Sequence, residues 1–380
     1  MKCFNILIVA AFLTSVAALS SPALSSGPYF GYWANFDIAG NEDHTNITHI
    51  WNRYDDLTTA TNHLIAQLDY ADSYGIKAIV ALDPFLFDAS SVSQGVMECN
   101  YSLSATASSD FAALVTTLIA EGHLVSGNPG ASTIAAFIPK DEPELCGLGD
   151  QGASAHPDLS GAISVVTSHS ATAAFPIYIN ASADYADVDA GLALADWVSI
   201  DDYTINTNLY INKVNTFMGS LDPSQKVLLI PQAASGGLVD SNYHYPPAIF
   251  DKFRSDSRVI GIIGFLWDHS NSTGTKDIPS LRAEWENFGG QIKDNVYVDP
   301  TLLCSPNGPL MDSWTCSASA TGGSSPYSYS WSNHGSTSSS ATYYLNCSGA
   351  GETQLVQARV TDGNGRYDFE DEWITCGQIQ

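Results

Sequence analysis

The chain has 380 residues, of which 40 are acidic and 14 are basic, and its formal net charge at pH 7 is -26. This length is enough for one large domain and a smaller module. The charge argues against nucleic acid and anionic membranes as partners, because their phosphates would repel this surface. Neutral or cationic ligands are compatible with it.

Residues 1–26 have the pattern of a secretory signal peptide. Lys2 precedes an apolar run, and small residues follow that run. Later segments are too short or too polar to cross a bilayer. We therefore predict a secreted, monomeric protein that does not insert into a membrane.

The cysteines are typical of an exported protein. The chain has seven, and Cys3 lies in the predicted signal peptide, which leaves an even number for disulfides. We expect one bridge between Cys99 and Cys146. The other four allow three pairings, among which the sequence does not choose: Cys304, Cys316, Cys347 and Cys376. Neither a CxxC nor an HExxH pattern occurs, so we predict no metal and no cofactor.

Eight short apolar segments alternate with segments of helical periodicity after the signal peptide. The apolar segments are residues 29–36, 48–55, 77–85, 133–142, 175–182, 196–203, 226–233 and 259–268. Continuous apolar strands are typical of a parallel sheet that is buried on both faces. The pattern predicts an α/β fold, a (β/α)8 TIM barrel over residues 27–297. Its first helix should be absent or a single turn.

The composition changes after Val298. The remaining residues are rich in Ser, Thr, Gly and Tyr, and short alternating runs are separated by turn residues. This pattern predicts an all-β, immunoglobulin-like sandwich over residues 298–380.

Polar side chains follow the predicted strands, where a (β/α)8 barrel builds its active site. In chain order they are Asp37, Asn52, Asp55, Asp83, Asp141, Glu142, Asn180, Asp201, Asp202, Tyr203, Gln232, Trp267 and Asp268. Glu142 is the strongest candidate for a catalytic acid. Pro143 should end its strand, and neighbouring acids should raise its pKa, as a general acid requires. Lys140 would act in the opposite direction, and a solvated acidic loop is the alternative interpretation.

The segment "DEP" at 141–143 resembles the motif of a large clan of (β/α)8-barrel glycoside hydrolases, whose fourth strand ends in Asn-Glu-Pro. The resemblance implies that Glu142 is the acid/base and that Asp141 stands in place of the amide. It also implies that Trp267 in "FLWD" is a platform on which a sugar stacks. The alternative for Trp267 is a place in the barrel core.

The C-terminal segments "SASATGGSSPYSYSWS" and "VQARVTDGNG" resemble PKD and other immunoglobulin-like modules. The resemblance places Trp331 on a central strand. Such modules accompany secreted enzymes that degrade polysaccharides, as spacers or as units that keep the enzyme near its substrate.

One position departs from the clan. Gln232 stands where the clan has its nucleophilic Glu, and an amide cannot act as a glycosyl nucleophile. The second carboxylate must come from elsewhere. Strand alternation in "SIDDYT" points Asp201 into the barrel. Asp202 is the next candidate, and Asp268, Asp37 and Asp83 rank behind it. A separation from Glu142 of about 5–5.5 Å would predict retention, and about 6.5–9.5 Å would predict inversion.

The sequence thus predicts a glycoside hydrolase that acts on a polysaccharide or oligosaccharide. Glu142 and Asp201 or Asp202 would be catalytic. The sugar would be held by Asp141, Asn180, Tyr203, Gln232, Trp267, Asp268 and Trp33, and residues 235–247 would form a binding lip or a plain surface loop. The alternatives are a non-catalytic carbohydrate-binding or cell-surface protein and a carbohydrate esterase.

Overall fold

The computed structural model describes residues 28–33, 40–52, 56–89, 101–183, 185–203, 206–236, 242–268, 272–309, 311–332 and 340–377. The predicted signal peptide, Asp37, Asp55 and Cys99 lie outside these ranges. The predicted Cys99–Cys146 bridge therefore stays a prediction.

The described residues between Pro28 and Asp294 form a mixed α/β fold. The strands described there are β1 (Tyr29–Tyr32), β2 (Ile47–Ile50), β3 (Lys77–Ala81), β4 (Phe87–Ala89), β5 (Tyr101–Leu103), β6 (Ile134–Ile138), β7 (Tyr178–Ser182), β8 (Trp197–Asp201), β9 (Lys226–Leu229) and β10 (Val259–Gly264). The helices are α1 (Leu57–Ser73), α2 (Asp83–Leu86), α3 (Ala107–Ala120), α4 (Pro157–Ser168), α5 (Asp189–Leu192), α6 (Thr207–Ser220), α7 (Pro246–Ser255) and α8 (Pro279–Asp294). The predicted alternation of strands and helices is confirmed.

Eight of these strands run parallel in two sheets, and β4 and β5 pair as an antiparallel hairpin. One sheet has the order β1-β10-β9-β8-β7 and the other β2-β3-β6. A parallel bridge between Phe137 and Ile177 joins β6 to the residue before β7. The Asn46 N–H donates to the Phe30 carbonyl (2.9 Å), which links the approach to β2 with β1. Neighbouring strands thus follow one another in chain order.

Two apolar clusters lie on opposite faces of these strands. One consists mainly of strand residues such as Ile79, Ile138 and Ile263. The other holds the alternate strand residues, such as Val198 and Ile200, together with the apolar faces of the helices. Burial on both faces is the property that the continuous apolar runs predicted.

Residues after Val298 form two antiparallel three-stranded sheets. The strands are β11 (Val298–Pro306), β12 (Ser313–Gly322), β13 (Ser328–Ser332), β14 (Thr342–Asn346), β15 (Thr353–Thr361) and β16 (Tyr367–Thr375). The sheets have the orders β11-β12-β14 and β13-β15-β16 and enclose a shared apolar core. Trp331 is buried in that core, but its strand β13 is an edge strand, so its predicted central position is wrong.

The disulfides of this segment pair Cys304 with Cys316 and Cys347 with Cys376. The first bridge joins facing residues of β11 and β12. The second joins the residue after β14 to the residue after β16 and thereby ties the two sheets together. This selects one of the three pairings that the sequence allowed.

The β segment packs against α7 and α8. Arg254 at the end of α7 pairs with Asp368 and with Asp299, each at 2.9 Å. Asn287 in α8 donates to the Tyr367 carbonyl (2.9 Å). Within the described ranges, no helix is both long and apolar enough to cross a bilayer.

The variant Cys347→Ser should lose about 3 kcal/mol of unfolding free energy in the β segment, because the bridge closes a loop with a sequence separation of 29. Calorimetry with and without reductant measures the loss. An unchanged transition temperature in the variant would contradict the expectation.

Candidate active site

The candidate site lies at the carboxyl ends of three neighbouring parallel strands, β6, β7 and β8. Asp141 and Glu142 follow β6, Asn180 lies in β7, and Asp201 is the last residue of β8. Carboxyl ends of parallel strands meet at one edge, where α/β proteins bind their ligands. We call this polar region the mouth and define it by these four residues and Tyr203.

Glu142 has an unusual backbone conformation. Its φ of 44° and ψ of 59° lie in the left-handed region, which is uncommon for a residue with a side chain. Its N–H donates to the Asn180 carbonyl (2.9 Å), and a 3-10 helix, Pro143–Cys146, begins directly after it. The chain therefore turns across the end of β7, and the strand ends at Ile138 rather than at Glu142. Such strain is typical of functional positions.

The Glu142 carboxyl is half-buried, and its pKa is raised from 4.5 to about 8. Burial is the largest cause because it disfavours the charged form, and the charges of Asp141 and Glu144 add to it. Lys140 lowers the pKa, but it is the smallest contributor. No hydrogen bond from a described residue contributes to the pKa of Glu142.

Lys140 is paired with a different acid. Its ammonium group lies 2.5 Å from Asp83 and over the ring of Tyr101, and both charged side chains are buried. Burial alone would lower the Lys140 pKa, but Asp83, Tyr101 and Asp141 hold it above its usual value. Because Lys140 is paired with Asp83, it lowers the pKa of Glu142 only slightly, and that pKa stays raised.

A chain of hydrogen bonds orients Asp141. Asn180 donates from Nδ2 to Asp141 Oδ1 (3.0 Å) and accepts from the Ser199 hydroxyl (2.5 Å). The Ser199 hydroxyl has only one proton, so Tyr178 donates to it (2.6 Å). Asn180, Ser199 and Tyr178 are completely buried, so this network is a rigid support beneath the mouth.

Asp201 is 9% exposed and ends β8 on the side of Asn180. Burial raises its pKa well above the usual value, and the Glu142 charge raises it further. The Tyr203 hydroxyl donates to Asp201 Oδ2 and, with the nearby Asn180 amide, acts in the opposite direction. Among the described residues, Asp201 Oδ1 has no hydrogen-bond partner.

Two other predicted acids are paired with lysines. Asp202 lies 2.8 Å from Lys213 of α6, on the helix side of the strand. Asp268 lies 2.8 Å from Lys276 at a partly exposed position. Neither carboxylate is placed in the mouth by a contact with Glu142.

Gln232 is completely buried and held by the backbone around it. Its side-chain Nε2 donates to the carbonyls of Ala234 (3.1 Å) and Asn242. Its backbone N–H donates to His244 Nδ1 (3.0 Å). These contacts explain an amide at this position, because a carboxylate could not donate to two carbonyls. The predicted role of Gln232 in binding sugar is not supported by this position.

The predicted tryptophans lie in the core. Trp267 is 1% exposed and packs against Tyr32 and His44, so it offers no face to a sugar; its predicted stacking role is replaced by a core role. Trp33 is equally buried and stacks on His49 at 3.9 Å.

The aromatic ring that reaches the mouth from β10 is Phe265. It lies 4.5 Å from the ring of Tyr203 and packs against the apolar cluster inside the strands. Sequence reasoning did not identify it. Period-two counting from Ile263, which belongs to the same cluster, would have found it.

The predicted lip is divided. His244 is buried and stacks on Tyr210, whereas Tyr245 is partly exposed and contacts the β segment. Residues 237–241 lie outside the described ranges. Within the described part of the chain, no group of three acidic, histidine or cysteine side chains is arranged to hold a metal ion.

No protein-family model matches the chain, and no curated protein matches it. An FMN-binding β-glucuronidase from Faecalibacterium prausnitzii is similar in structure, at 9% identity, a TM-score of 0.49 and 93% of this chain covered. A GH113 β-1,4-mannanase has 12% identity and a TM-score of 0.40 over 69% of this chain and 98% of its own. The PKD1 domain of the Vibrio cholerae metalloprotease PrtV has 20% identity and a TM-score of 0.19 over 21% of this chain and 98% of its own.

The chain spans 56% of the length of that β-glucuronidase. At these identities and TM-scores the similarities carry no argument about the function of this chain. The function proposed below rests on the geometry of the mouth.

The variant Lys140→Met should lose about 3–5 kcal/mol of unfolding free energy, because it leaves Asp83 buried without its partner. Urea denaturation measures the loss. Lys276→Met is the matched control, since its pair with Asp268 is partly exposed and should contribute about 1 kcal/mol or less. Equal losses in the two variants would contradict the assignment.

The raised pKa of Glu142 makes stability depend on pH. Between pH 4.5 and about 8 the folded state keeps a proton that the unfolded state has lost, so stability falls as pH rises and then levels off. Glu142→Gln should therefore gain melting temperature over the natural protein at pH 9 but not at pH 4. Thermal melts across this range, with the exposed Glu121→Gln as control, test this. A gain that is independent of pH would exclude the raised pKa.

Proposed function

We propose that this protein is a glycoside hydrolase that cleaves a polysaccharide or oligosaccharide with Glu142 and Asp201 as its paired carboxylates. One observation carries the proposal. The two acids lie at the ends of β6 and β8, on either side of β7, and are close enough that the Glu142 charge raises the pKa of Asp201. Paired carboxylates with perturbed pKa values are what hydrolysis of a glycosidic bond needs.

The proton assignment follows from the hydrogen bonds. Asp201 accepts from the Tyr203 hydroxyl, which favours its charged form, whereas no described residue donates to Glu142. Both pKa values are raised, so the pair can share a proton. The proposal places this proton on Glu142, which protonates the leaving oxygen, and Asp201 acts in its charged form, either as nucleophile or as the base that activates water.

Asp201 is preferred to Asp202 as the second carboxylate. Asp202 is neutralised by Lys213, whereas Asp201 lies in the mouth, where the Glu142 charge acts on it. The resemblance to the clan with a fourth-strand Asn-Glu-Pro supports Glu142. The amide at Gln232 agrees with a second carboxylate that comes from β8 instead.

The proposal includes a closed (β/α)8 barrel over residues 27–297 and a PKD-like module over residues 298–380. The chain-order arrangement of eight parallel strands and the backbone contacts at both seams support closure. The two disulfides support secretion, because such bonds persist in oxidising compartments.

The variants Glu142→Gln and Asp201→Asn should each lower kcat/KM by about 10²–10⁴-fold on a polysaccharide that the natural protein cleaves, because each removes an acid–base group. Release of reducing ends from a panel of neutral polysaccharides measures the activity. Asp202→Asn is the matched control and should retain far more activity than Asp201→Asn.

The alternatives have distinct outcomes in the same assay. Retention of a polysaccharide without any new reducing ends would indicate a carbohydrate-binding protein. Release of acetate without chain shortening would indicate an esterase. Full activity of Glu142→Gln would remove this residue from the mechanism.

A further inference from the structure

The outer face of β15 and β16 continues beyond the contact between the β segment and the α/β part. Successive outward-facing pairs are Thr361–Tyr367, Arg359–Phe369, Gln357–Asp371 and Leu355–Trp373. Each pair is two residues further along its strands, about 7 Å from the last. The face is therefore a ladder with a defined direction.

The first three pairs of this ladder lie against α7 and α8, in an order that runs from the C-terminal half of α8 towards the N-termini of the two helices. The Tyr367 carbonyl accepts from Asn287 in the second half of α8. Burial raises the pKa of Glu284, nearer the start of that helix, and the Arg359 charge acts against this rise. The Gln357 amide hydrogen-bonds the hydroxyl of Tyr245, the N-cap residue of α7.

The starts of α7 and α8 lie on the same side of the molecule as the mouth, because each helix follows a strand whose carboxyl end faces that side. The fourth pair, Leu355–Trp373, therefore extends past the start of α7 on the mouth side. His244, next to Tyr245, accepts from the N–H of Gln232 at the end of β9. The loop thus connects the ladder directly to the strand ends.

Trp373 is 68% exposed, and Tyr245, which contacts the neighbouring pair through Gln357, is 45% exposed, whereas Leu355 is partly buried. Because both rings are only partly exposed, they offer less than the about 300–500 Å² of two fully buried aromatic side chains, which is well below the roughly 1,000 Å² of a specific protein interface. Flat rings of this size suit the apolar C–H faces of sugar rings. The carboxylate of Asp371, the neighbouring outward-facing residue of β16, would repel an anionic partner.

We infer that Trp373, Tyr245 and Leu355 form a second binding site, the Trp373 platform, for an uncharged stretch of the same glycan chain that the mouth cleaves. This inference rests on the proposed function. The platform would hold a long chain across the junction of the two parts of the protein. It would raise the affinity for polymers and contribute nothing to substrates that are too short to reach it.

The test compares Trp373→Ala with Tyr344→Ala, which removes an equally exposed ring (70%) from β14 in the other sheet. Affinity electrophoresis in gels that contain soluble β-mannan, xylan or laminarin measures binding. Both substitutions are made in the Glu142→Gln variant, so that the polymer is not cleaved during electrophoresis. Trp373→Ala should weaken binding to the retained polymer about tenfold, the loss expected from one buried aromatic contact. Tyr344→Ala should not change it.

In the active background, Trp373→Ala should lower the ratio of kcat/KM on the polymer to kcat/KM on a trisaccharide of the same linkage about tenfold. Equal binding by both variants, or no retention by any of the three polymers, would overturn the platform. So would stronger retention in a gel that contains alginate, an anionic polymer. Sedimentation that shows a dimer for the natural protein and a monomer for Trp373→Ala would also overturn it, because the ring would then contact a second copy of the chain. Binding that depends on Trp373 without hydrolysis by any variant would refute the proposed enzyme but not the platform.

Discussion

The burial of several carboxylates at neighbouring strand ends is the constraint on which the candidate site depends. A charged carboxylate is costly in a poorly solvated site, so each acid must either find a cation or hold its proton. Lys140 is committed to Asp83, and it contributes least to the pKa of Glu142. Neither Glu142 nor Asp201 has an ion pair with a described lysine or arginine, and burial raises the pKa of each.

The same rule divides the acids around the strand ends into two groups. Asp83, Asp202 and Asp268 each have a lysine at 2.8 Å or less. Two acids of the mouth are held by dipoles instead, namely Asp141 by the Asn180 amide and Asp201 by the Tyr203 hydroxyl. Dipoles orient a carboxylate without cancelling its charge. Two neighbouring acids that lack a lysine partner can therefore share a proton, as the proposed acid–base reaction requires, whereas acids that are paired with lysines stay charged.

Much of the site could be predicted from local pattern. Period-two alternation in β8 correctly separates Val198 and Ile200, which face the helices, from Ser199, which enters the network beneath the mouth. Alternation is a local property of extended chain, so it can be read without tertiary contacts. The interpretation weakens where a strand ends: Trp267 follows β10 by three residues and turns into the core, and Phe265 takes the place at the mouth.

The sequence by itself determined the order and approximate positions of the eight parallel strands and of the longer helices between them, because hydrophobic periodicity and turn residues act over a few positions. It also indicated that acids gather at one edge, because parallel strands all present their carboxyl ends there. Only the tertiary structure decided which acid meets which lysine, which cysteines pair and which tryptophans are buried. Those choices depend on side chains that are distant in the chain, such as Lys140 and Asp83, and on the free energy of desolvating them together.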